Sequence, residues 1–170
     1  MGMLAAALGL PPPAAAVASV QSFDGRCDLR LTVVHDPQLT PSPTFGAARA
    51  RGNGECTGAL TKADGRVVHL DGARAGVRAA STGNLSCAGG ESNGDGVLSL
   101  DGTRIGFEFT EIRGPGTATL DYTGDAGGSA IGQAYVAPDE DPADAVTTCA
   151  DTGLRSVRVV EHLVSNDLAG

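Results

Sequence analysis

The sequence predicts an all-β fold: an antiparallel β-sandwich or barrel of about eight strands, disulfide-stabilised, with one short helix near the C-terminus. Three observations predict it. Short runs of alternating apolar and polar residues recur along the chain. Clusters of Gly, Asp, Asn and Pro separate them at the spacing of hairpin turns, and only one stretch carries helix-boundary chemistry.

The chain opens on a short apolar run, Met3 to Leu10, which Pro11-Pro12-Pro13 breaks. Ala16-Val17-Ala18 then fits the small-x-small pattern of a signal-peptidase site, with cleavage before Ser19. Residues 1–18 are therefore read as a signal-peptide-like or disordered Ala/Pro leader, and 19–170 as a single all-β domain. The first basic residue is Arg26, so the usual positive n-region is missing, as a start codon placed too late would explain. No other segment approaches the ~20 apolar residues of a membrane-spanning helix.

Candidate strands follow at 27–35, 45–60, 66–88 (broken or bulged near Gly72 and Gly83), 96–100, 104–112, 117–123, 129–136 and 154–164. Alternation is clean in two of them. Ile105, Phe107 and Phe109 share one face, opposite Arg104, Glu108 and Thr110. Ala118, Leu120 and Tyr122 alternate with Thr117, Thr119, Asp121 and Thr123. Turn chemistry lies at Ala63-Asp64-Gly65, Asn93-Gly94-Asp95-Gly96, Asp101-Gly102 and Arg113-Gly114-Pro115-Gly116, where the residues accept positive φ or fixed turn angles. The helix is DPADAVTTCADTG: Asp141 caps it, Pro142 suits its first turn and Gly153 follows its end.

Composition narrows the class. The 170 residues include 25 Gly and 26 Ala, one Lys against eleven Arg, four Phe, two Tyr and no Trp, with a net charge of −8. That much glycine argues against a coiled coil. An acidic chain argues against general nucleic-acid binding. The Ala, Gly and Arg bias points to a high-GC bacterial genome. The core is thin, so disulfides worth ~2–4 kcal/mol each are expected to compensate.

Four cysteines stand at 27, 56, 87 and 149, with spacings of 29, 31 and 62 that match no metal knuckle or redox motif. An even number in a small secreted chain reads as two disulfides. Folding 27–35 and 45–60 antiparallel about the loop Asp36 to Thr44 sets Cys27 opposite Cys56, leaving Cys87 for Cys149.

Chemistry is sparse. His35, His69 and His162 form no HxH or HxxxH pair, and no nucleophile elbow is present. Glu108 and Glu111 fall on opposite faces of a strand, and the run Asp139, Glu140, Asp141, Asp144 suits a helix N-terminus. Glu91 to Gly96 only partly resembles a calcium loop and reads better as a hairpin turn. Asn84-Leu85-Ser86 fits the N-glycosylation pattern, which is not expected in a bacterial protein. No catalytic constellation, metal site or cofactor is predicted.

Charge is asymmetric. Residues 1–85 carry eight basic and six acidic side chains, a balance of +2; residues 86–170 carry four and fourteen, a balance of −10. Hairpin geometry puts Arg30, Arg49 and Arg51 on one sheet face, joined by Arg74 and Arg78 from the next strand. Such a face suits carboxylate or phosphate groups in fork geometry. The sequence is thus read as a secreted or extracellular, free or envelope-associated, non-catalytic protein with a binding or structural role. Its expected partner is an anionic envelope or extracellular polymer, or a protein. The alternative is a small-ligand-binding β-barrel, with a histidine-dependent hydrolase third.

Overall fold

The computed structural model describes residues 20–170; the leader, with its cleavage motif, lies outside them. Eight strands run in chain order: β1 (Ser22–Leu39), β2 (Thr44–Thr61), β3 (Val67–Ser86), β4 (Gly89–Leu100), β5 (Thr103–Gly114), β6 (Thr117–Gly124), β7 (Gly127–Val136) and β8 (Leu154–Ala169). Helix α1 (Pro142–Asp151) joins β7 to β8. Each strand pairs antiparallel with its neighbour in sequence, and β8 pairs with β1, so the sheet closes into an up-and-down barrel. Closure is the outcome of the sandwich-or-barrel alternative, and it leaves no edge strand unpaired.

Register fixes the first disulfide. Cys27 stands directly opposite Cys56 across β1 and β2, both facing inward and both 1% exposed. The two are bonded, as are Cys87 and Cys149. The second bond ties α1 to the β3–β4 turn. The helix carries the predicted caps: Asp141 accepts a hydrogen bond from the Ala143 amide, Pro142 opens the first turn, and Gly153 follows with φ 84°. Beside it, the Arg158 guanidinium donates to Asp139 and Glu140, so these two acids hold β8 rather than cap the helix.

Two local expectations change. The 66–88 segment is one continuous strand with a single irregularity at Gly72, opposite Cys56 to Gly58; at Gly83 the pairing is regular. The predicted turn at Asn93-Gly94-Asp95-Gly96 is instead the middle of β4, and the chain reverses at Cys87-Ala88. The partial calcium-loop match therefore lies on a straight strand as well. The physical reason is a size match between neighbouring strands, with Gly94 paired to Phe109 and Gly96 to Phe107. A Cβ at Gly96 would lie 2.6 Å from the Phe107 ring, and one at Gly94 2.8 Å from Phe109. The glycines are seats for aromatic rings, which pack on one another and on Tyr122 with centroids 5.1–6.2 Å apart.

Side chains inside the barrel are graded along its axis. At the end holding the β2–β3 and β4–β5 turns, large apolar groups fill the lumen: Phe23, Leu29, Leu60, Leu98, Leu100 and Ile105 are all at most 1% exposed. Toward the end covered by α1 the inward positions become small, with Ala48, Ala50, Ala79, Ala118 and Ala134. The outer surface carries the charges, including Arg30, Arg49, Asp95, Glu108 and Asp121, all exposed. An apolar interior and a charged exterior reverse the pattern of a transmembrane barrel. Among the described residues, no helix is long and apolar enough to cross a membrane.

Candidate functional site

The small inward residues leave space. A cavity of about 110 Å³ lies beneath α1, lined by Val33, Ala118, Ala134, Val136 and Val159 from the barrel and by Val146 from the helix. A second cavity of about 50 Å³ adjoins it deeper in the lumen and shares Val33, Ala134 and Val159 as walls. Small inward side chains offer little surface to line a ligand pocket. In the closed barrel they create one, because closure fixes the interior volume and alanine does not fill it.

One wall of the cavity is polar. Glu111 and Arg113 continue the inward parity of Ile105, Phe107 and Phe109, so β5 carries its apolar face directly into an ion pair. The Arg113 Nε donates to Glu111 Oε1 at 2.7 Å, and Ser92 Oγ donates to Glu111 Oε2 at 2.8 Å. The carboxylate is thus satisfied on both oxygens despite its burial. Arg113 Nη1 lies 3.2 Å from His35 Nε2. A guanidinium only donates, so Nε2 is the acceptor and the proton of the neutral ring sits on Nδ1. His35 is fully buried and lines the cavity, and among the described residues its Nδ1 has no hydrogen-bond partner. Burial, assisted by the Arg113 charge, lowers the imidazole pKa from 6.5 to about 4. The ring is neutral at pH 7.

A second buried pair stands below. The Tyr122 hydroxyl donates to Glu161 Oε1 at 2.5 Å, and both side chains line the deeper cavity. Desolvation raises both groups above their ordinary pKa values, and the Glu111 carboxylate pushes each in the same direction.

The other predicted residues sit elsewhere. Arg30, Arg49, Arg51, Arg74 and Arg78 are all exposed on the outer face of β1–β3. Arg51 stands directly across from Arg78, with Arg49 two residues along the strand, while Arg74 faces Glu55 and Arg30 faces Asn53. None of the five has an acid within ion-pair distance among the described residues. Asp28 instead accepts from His162, 2.5 Å away on β8. His69 is exposed on β3 and His162 on β8, so the three histidines do not converge. Among the described residues no group of three or more His, Cys, Asp or Glu is placed to hold a metal ion.

Sequence reasoning missed the cavity, Arg113 and the interior roles of Glu111, Tyr122 and Glu161. The available signal was parity. Glu111 and Arg113 share the face of Ile105, and His35 shares that of Cys27, Leu29, Leu31 and Val33. Compared with protein-family models, curated proteins and solved structures, the chain gives no match in any of the three.

His35 makes a pH prediction. Between pH 6.5 and about 4 the unfolded chain takes up a proton that the folded imidazole refuses, so stability falls as pH falls through that window. Glu161 acts in the opposite sense, since its raised pKa costs stability as pH rises above the ordinary carboxyl value. Subtracting the stability profile of His35→Gln from that of the native protein isolates the imidazole. The difference is expected to change by up to about 3 kcal/mol between pH 7 and 4. A flat difference in urea unfolding would show that the ring is not held neutral by burial.

Proposed function

We propose that this chain is a non-catalytic, extracellular binding protein that holds a small, largely apolar molecule in the upper interior of its barrel. The cavity beneath α1 carries the reading. It is concave and mostly apolar with a few convergent polar groups, the character of a small-molecule site. The disulfides support an oxidising compartment. One of them, Cys87–Cys149, fastens the helix that covers the cavity.

Benzene tests the reading, since the two adjoining cavities, about 110 and about 50 Å³, together reach the order of 150 Å³ that admits it. Titration followed by two-dimensional NMR is expected to move the resonances of Ala118, Ala134, Val136 and Val159. Ala134→Leu, which fills the space shared by both cavities, is expected to weaken binding at least about tenfold, ~1.4 kcal/mol. A native spectrum left unmoved by benzene and by every other compact neutral probe would overturn the proposal.

The Arg51–Arg78 juxtaposition favours a second, compatible reading. Like charges directly opposite on a sheet repel, and an anionic polymer laid across Arg49, Arg51 and Arg78 relieves that repulsion. On this reading the barrel is retained on an anionic envelope or extracellular polymer. Retention on isolated cell envelope is expected at low salt, lost at high salt, and lost at both on replacing the three arginines by Ser. Equal retention of the triple variant at low salt would exclude the arginine face.

A further inference from the structure

We infer that the ligand of the cavity is a neutral molecule whose carbonyl or ether oxygen accepts a hydrogen bond from His35 Nδ1. The inference rests on the proposed cavity-binding reading and adds the chemistry of the head group. His35 lines the cavity, is fully buried, and has one ring nitrogen occupied by Arg113 and the other without a partner among the described residues. An unpaired buried donor is costly, and a site that holds one discriminates strongly for the group that satisfies it.

The charges around the cavity set the ligand's charge. Among the described residues Arg113 is the only cationic wall residue, and its charge is already matched by Glu111 at 2.7 Å. Glu161, deeper in the lumen, adds a second carboxyl rather than a second cation. A carboxylate or phosphate ligand would therefore enter beside Glu111 without a counter-charge, at the desolvation cost of an unpaired ion. A cationic ligand fares no better, because both Glu111 oxygens are already engaged by Arg113 and Ser92. What remains unserved among the described residues is the Nδ1–H of a histidine that lines an apolar chamber. The matching ligand is compact and apolar, with one acceptor oxygen and no charge.

Three probes of similar size separate the possibilities. Cyclopentanone offers a carbonyl, methylenecyclopentane replaces that oxygen by CH₂, and 2-methylpropanoate carries a charge. The quantity read is the ketone-to-alkene affinity ratio by NMR titration in the native protein, His35→Leu and His35→Gln. The native ratio is expected to exceed that of His35→Leu by about tenfold, the equivalent of one net hydrogen bond, with His35→Gln, whose amide can both accept from Arg113 and donate to the ketone, recovering part of it. Should His35→Leu not fold, the native protein still decides: cyclopentanone is expected to shift the His35 Nδ1 resonance and methylenecyclopentane to leave it in place. Equal ratios, or an Nδ1 resonance indifferent to the ketone, would overturn the inference while leaving the cavity reading intact. Tightest binding of 2-methylpropanoate would overturn the neutral-ligand assignment and point to Arg113. Failure of all three probes and of benzene would remove the cavity reading itself.

Discussion

Pairing of β8 with β1 closes the sheet, and closure fixes the interior volume that side chains have to fill. In an eight-stranded barrel that lumen is just wide enough for the inward residues to meet. At the end lined by Phe23, Leu60, Leu98 and Leu100 they do, and this half forms the main apolar core. At the other end alanines stand where leucines would be needed, and the strands cannot move inward to compensate because each is hydrogen-bonded on both sides. The cavity is thus a consequence of closure combined with a gradient of side-chain size. Gly94 and Gly96 place the aromatic cluster at the boundary between the two halves.

The polar wall follows from the same constraint. Ionised groups inside an apolar lumen persist only when paired and hydrogen-bonded. Glu111 meets that condition through Arg113 and Ser92. Glu161 has the Tyr122 hydroxyl, and burial shifts its equilibrium toward the protonated form. His35 is the exception, with one nitrogen served and one not. An apolar residue of similar size at that position would pack without such a cost. α1 covers this region, anchored by Cys149 to Cys87 and by the Gln38 side chain, which donates to the Thr152 carbonyl.

Much of the fold was legible in the sequence because its determinants are local. Period-two alternation marked β5 and β6, Asp101-Gly102 marked a turn that has positive φ at both residues, and Asp141 with Pro142 marked the start of α1. The Cys27–Cys56 pairing followed from hairpin register alone. Glycine misled where its role was not local. Asn93 to Gly96 has the composition of a turn, yet two of its glycines serve rings on β5 that are adjacent only after folding. The cavity was illegible for a related reason: whether an inward alanine closes a gap or leaves one depends on whether the sheet is open or closed. His35 and Arg113 lie 78 residues apart, and nothing in either segment announces the contact. The outer arginines were legible as a face, but what that face binds is not written in their spacing.

The side chains of the described residues leave the upper lumen unfilled. Diffraction from crystals pressurised with xenon measures this most directly, because xenon occupies apolar voids and displaces little else. One well-occupied xenon site is expected between α1 and the barrel, against Ala118, Ala134 and Val159. Side chains of Val33, Val136 or Leu154 collapsed into that space, with no xenon in the lumen, would contradict it.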